Sequence, residues 1–135
     1  MKYLGLASAL TLPLLTGCVV AVGGVNNTYG LPGVEDFALP FKSVEDCARI
    51  RARLEKLARA GEGMSLVVVG GGLEGVEALG EILRAYRRIP ALKVHLVEGS
   101  ETLLPGGAAA LSSEILRKCQ PYPVTFHLGD RVKAV

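Results

Sequence analysis

The residues best suited to chemistry stand in one run, Val67-Val68-Val69-Gly70-Gly71-Gly72-Leu73-Glu74-Gly75-Val76-Glu77. Gly70, Gly72 and Gly75 satisfy the spacing G-x-G-x-x-G. Alone, that pattern is weak. Between a buried apolar strand and an amphipathic helix, it describes a cradle for a dinucleotide pyrophosphate. Each glycine then has a mechanical role. Gly70 makes the tight turn off the strand, Gly72 lets phosphate approach the backbone, and Gly75 lets the helix pack closely on the sheet. The candidate cradle is the whole loop, Gly70, Gly71, Gly72, Leu73, Glu74 and Gly75. Its free N–H groups at the helix start would face the phosphates, aided by the helix dipole. The competing reading is a glycine-rich turn with no ligand.

Two carboxylates extend this pattern. Glu98 closes the next strand, close to the roughly 20-residue spacing expected of an acid that accepts hydrogen bonds from the adenosine ribose hydroxyls. It would repel a 2′-phosphate, and no Arg or Lys lies between Lys93 and Arg117 to hold one, so the expected nucleotide is NAD rather than NADP. The alternative for Glu98 is a surface carboxylate at a strand end. Glu77 sits one turn into the helix, where an acid is favourable with or without a ligand. Spacing alone leaves it open between the two.

No other constellation emerges. His95 and His127 sit in predicted strands without a nucleophile or metal-ligand cluster and read as structural. Asp130 after Gly129 reads as a turn residue. Cys18, Cys47 and Cys119 are scattered and odd in number, which argues against a disulfide framework or zinc site. No catalytic residue and no metal ligand is assigned.

The elements that must position the loop follow from periodicity. Ser43 caps a helix whose apolar face is Cys47, Ile50, Leu54 and Leu57, ended by Gly61 and Gly63. Its Arg49, Arg51, Arg53, Lys56 and Arg59 form either a solvated face or a surface for anionic lipid. Leu66–Gly70 reads as a strand buried on both faces. A helix over Leu73–Arg87 presents Val76, Leu79, Leu83 and Tyr86 inward. Lys93–Val97 is a second strand, Ala108–Lys118 a helix and Val124–His127 a third strand. Arg131–Val135 is expected to open another. The stretch 23–35, rich in Gly, Asn and Pro, reads as a loop. The predicted class is therefore α/β, with a Rossmann-like parallel βαβαβ sheet and an N-terminal connecting strand and helix.

Composition agrees. The 135 residues suffice for one domain, half of them are hydrophobic and 21 % are charged. A net charge of +2 and few aromatics give no basis for nucleic-acid binding. Residues 1–18 admit two readings. Lys2, the apolar stretch after it and Leu15-Thr16-Gly17-Cys18 look like an export signal with a lipobox, which would make Cys18 a lipidated residue. Alternatively the leader is a misassigned start, and Cys18–Gly23 is a short buried strand.

Taken in order, VVAVGG, NNTYGLPGV, ALPFKSVEDCARIR, VVVGGGLEGVE, VHLVE and LLPG resemble the two-dinucleotide-domain flavoproteins. The nearest resemblance is to type II NADH dehydrogenases (NADH:quinone oxidoreductases), over residues 19–135. The resemblance implies that residues 19–63 connect an FAD-type domain to the NAD(H) domain, and that 64–135 is that domain, incomplete. It places Gly70, Gly72 and Gly75 on the pyrophosphate loop, Glu77 near the nicotinamide and Glu98 on the ribose. It also implies hydride transfer from NADH to FAD, quinone as final acceptor and a cytoplasmic enzyme, peripheral on the membrane. The family's upstream FAD glycine loop, its later Gly-Asp segment and its C-terminal membrane helix do not occur here. The expectation is thus the middle of a longer enzyme, inactive alone. The rivals are another FAD/NAD(P)-dependent oxidoreductase subunit and a non-catalytic exported lipoprotein.

Overall fold

A computed structural model describes residues 28, 30–61 and 63–135. The leader, Cys18 and the expected strand at Cys18–Gly23 lie outside the described residues. The order of elements is α1 (Val34–Phe37), α2 (Val44–Ala60), β1 (Met64–Val69), α3 (Leu73–Tyr86), β2 (Leu92–Glu98), α4 (Ala109–Cys119) and β3 (Val124–Leu128). The three strands form a parallel sheet in the order β1-β2-β3, with Met64 opposite Leu92 and Val94 opposite Val124. The α/β, Rossmann-like architecture is the one the periodicity implied.

Local chemistry fixes the helix ends. Ser43 Oγ accepts from the Asp46 N–H, and Asp46 Oδ2 accepts from the Ser43 N–H, each at 3.0 Å, a reciprocal capping box. Gly61 closes α2 in the left-handed region, φ +72°. Within α2, Arg51 and Arg59 both pair with Glu55, and Arg49 pairs with Asp46, so much of the basic face is neutralised on its own helix.

The core lies on one face of the sheet. Leu92, Val94 and Leu96 alternate along β2 and pack with Met64, with Leu79 and Leu83 of α3, with Leu103 and with Leu54 of α2. Ile115, Leu116 and Cys119 of α4 pack against the same cluster. Two successive right-handed crossovers in one direction put α3 and α4 on the same side.

Three expectations need correction. β1 is not buried on both faces: Met64, Leu66 and Val68 point to the core, whereas Val67 and Val69 are 63 % and 57 % exposed. Both crossover helices cover the opposite face, so these valines gain no cover from them. Residues 131–135 form no strand; the Val135 N–H donates instead to the Pro32 carbonyl in the connecting segment. The loop expected through residue 35 folds into α1 from Val34, entered through Gly33 at φ +81°.

Candidate functional site

The glycine loop leaves β1 with the Gly70 N–H still donating to Val97 O at 2.8 Å, which ties the turn to the end of β2. Gly70 then takes φ +101°, a conformation disfavoured for any side chain. Gly75 packs directly on this turn: a Cβ there would run into the Gly70 carbonyl oxygen. Gly72 is the N-cap of α3 and has open space where a Cβ would stand. No side chain caps α3, so its first N–H groups have no side-chain acceptor.

Gly71 has a steric role that the spacing did not reveal. A Cβ there would lie 2.8 Å from Leu103 Cδ2 and 2.9 Å from Glu98 Cβ. Its N–H donates to Glu98 Oε2 at 2.7 Å, and its carbonyl accepts from the Leu104 N–H. Glu98 Oε1 accepts from the Ser100 N–H at 2.7 Å. Burial pushes the Glu98 carboxyl up, but the N–H donors of Gly71 and Ser100 outweigh it and hold it below the ordinary value. The acid is therefore charged, and it braces the loop from beneath.

Glu77 is half-buried on α3 and lines an open cleft with Val69, Gly70, Gly72 and Glu74. It has no hydrogen-bond or ion-pair partner among the described residues. Glu98 is not among the residues that line that cleft. Leu73 is 48 % exposed on the first turn of α3.

Sequence reasoning missed three groups. Glu74 is held by Lys42, whose ammonium lies 2.5 and 2.7 Å from its two oxygens. This bond pins the segment before α2 to the glycine loop. His95 Nδ1 and His127 Nε2 lie 3.1 Å apart on neighbouring strands, so the two histidines partner each other. Arg131 packs over Gly99, its Cγ 3.4 Å and its Nε 3.6 Å from where a Cβ would stand. The stretch that follows β2 in sequence holds no basic residue, but Arg131 reaches the same place from beyond β3.

Cys47 and Cys119 are free and half-buried, and burial raises both thiols, which keeps them protonated. Among the described residues no group of three or more His, Cys, Asp or Glu could hold a metal ion. Free N–H groups at a helix start can hold an anion. Among the described residues the arrangement brings together no nucleophile and no paired acid and base.

A parallel sheet whose first crossover helix starts at a glycine loop defines an open α/β protein of the Rossmann-like class. The family model of pyridine nucleotide-disulphide oxidoreductases matches residues 15–135, and the chain belongs to that family of oxidoreductases. It is 28 % identical over 137 residues to the type II NADH:quinone oxidoreductase of Mycobacterium tuberculosis, covering 87 % of this chain and 30 % of that one. It is 31 % identical over 137 residues to the external alternative NAD(P)H-ubiquinone oxidoreductase B1 of Arabidopsis thaliana mitochondria, covering 87 % and 24 %. Over 60 residues it is 38 % identical to the demethylphylloquinone reductase of Synechocystis, covering 44 % and 15 %. The chain thus spans less than a third of each of these relatives. The NDH2 structure of Plasmodium falciparum in complex with NADH superposes with a TM-score of 0.72 at 22 % identity, covering 84 % of this chain and 27 % of that one, a likeness of fold.

Proposed function

We propose that this chain is the NADH-binding portion of a flavin-dependent NADH dehydrogenase, with residues 19–63 the connection and 64–135 the NAD(H) domain. The observation that carries this reading is the start of α3: no side-chain cap, open space at Gly72, and a turn closed by Gly70 and Gly75. The N–H groups there bind the pyrophosphate. Glu98 fixes the loop and accepts from the adenosine ribose. Glu77, in the adjoining cleft, orients the nicotinamide. Relatives named as NADH:quinone oxidoreductases support the same reading.

The sequence contains one G-x-G-x-x-G loop, and the residues around it suit the ADP half of a single dinucleotide. They do not fit a second, flavin dinucleotide, so no step through flavin is assigned to these residues. In the longer enzyme the flavin would accept the hydride and pass electrons to quinone. A quinone acceptor implies work at a membrane. We propose peripheral attachment of the longer enzyme on the cytoplasmic side; no helix among the described residues is long and apolar enough to cross a membrane.

The test is an NADH titration of the chain followed by nicotinamide fluorescence, which the absence of Trp leaves unobscured. Saturable enhancement is expected in the wild type and its loss in Gly72→Ala. Absence of binding by a folded wild-type chain, judged by circular dichroism, would overturn the reading.

A further inference from the structure

We propose that Lys42 is a positioning residue for anion binding at the glycine loop: by holding Glu74 it cancels a carboxylate that would otherwise repel the ligand at the start of α3. The proposal rests on the dinucleotide reading above and gives that site a working residue from outside the loop.

Three observations carry it. The first is the place of the acid. Glu74 stands in the first turn of α3 and lines the open cleft with Gly70 and Gly72. A carboxylate there competes with an anionic ligand for the same positive helix end. The second is the completeness of the pairing. Lys42 Nζ lies 2.5 and 2.7 Å from the two Glu74 oxygens, so both are engaged. The side chains are 28 % and 38 % exposed, and a partly buried pair is screened less than a surface one. The third is the anchorage of the cation. The Lys42 N–H donates to Asp46 Oδ2 at 3.2 Å, and Asp46 is the buried capping acid of α2. The cap of α2 therefore fixes the backbone from which the ammonium reaches the loop.

The charges along the cleft show what the pair prevents. α3 also sets Glu77 and Glu81 along it. Glu81 pairs with Arg84, and Glu77 has no partner among the described residues. Without Lys42, Glu74 would become a second uncompensated carboxylate, one helical turn from Glu77, where like charges repel. A bond that only pins the loop and a bond that cancels a charge predict opposite results when Glu74 is neutralised. Loss of a pin weakens ligand binding from either partner. Loss of the repelling charge strengthens it.

Dissociation constants for NADH, measured on the 135-residue chain by nicotinamide fluorescence at low ionic strength, decide the matter. Lys42→Met leaves Glu74 without its cation and should weaken NADH by about fivefold. Raising the salt to about 1 M should shrink that loss, because the screening length falls to about 3 Å. Glu74→Gln removes the charge at nearly constant size, frees the ammonium and should tighten NADH by about threefold. The double variant should bind within about twofold of the wild type. Lys42→Arg keeps the charge and should do the same. If both single variants weaken NADH, the pair is a pin alone, and the proposal falls while the dinucleotide reading stands. Unchanged affinity in Lys42→Met also overturns it. If Lys42→Met does not fold, judged by circular dichroism, the sign of the change in Glu74→Gln decides by itself. Failure of the folded wild type to bind NADH overturns both.

Discussion

Glu98 must serve two ends with the same pair of oxygens. It braces the loop through Gly71 and Ser100, and under the proposed function it also accepts from a ribose. Its folded pKa lies below the ordinary 4.5. The stability it adds is therefore complete above that pH and is lost as the pH falls through the lowered value. Urea denaturation between neutral pH and pH 3 should show this: Glu98→Gln should lower stability at neutral pH by about 1 kcal/mol and shrink the acid-side loss. A loss of the same size in the variant would show that the other depressed carboxyls, Asp46, Glu55, Glu81 and Glu114, account for all of it. The glycines should separate in a second way. Gly72→Ala meets no atom and should leave the thermal midpoint unchanged while abolishing NADH binding. Gly75→Ala strikes the Gly70 carbonyl and should cost about 1–3 kcal/mol by overpacking, with binding lost through the fold. Equal thermal midpoints for the two variants would refute that distinction. The tight turn at Gly70 and the close packing at Gly75 could be read from the sequence because each depends on local backbone geometry. Gly71 could not, because what crowds it is Leu103 and Glu98, brought back by a crossover.

At the scale of elements, α2 and the segment before it hold the loop from outside the sheet. Leu54 is buried in the core cluster, and Leu54→Ala should cost about 2–5 kcal/mol in chemical denaturation. Ser43→Ala, which removes half of the capping box, should cost about 1 kcal/mol. A cost near zero for Leu54→Ala would mean that α2 does not dock. The helix limits were legible because Ser43, Gly61 and the 3.6-residue apolar stripe are written in the chain. The Lys42–Glu74 bond was not, since the partners stand in different elements and only tertiary packing brings them together. The face of β1 was misread for a related reason. An unbroken run of valines suggests cover on both sides, but which sides are covered depends on where the helices cross.

For the molecule as a whole, β1 is one edge of the described sheet, and its Val67 and Val69 are exposed on the face away from the core. Such an edge favours pairing between chains. Sedimentation velocity should show concentration-dependent self-association, reduced by Val67→Lys. A monomer at all concentrations would count against this. The parallel class of the sheet was readable from the strand and helix alternation, but its edge was not, because strand order belongs to topology. That order has one more consequence. Each strand pairs with its predecessor, Met64 with Leu92 and Val94 with Val124, and no later strand is inserted between earlier ones. A sheet laid down this way can grow as the polypeptide leaves the ribosome, each βα unit docking on the one already made. The glycine loop, closed by the first such unit, would then be formed before the third strand has been translated.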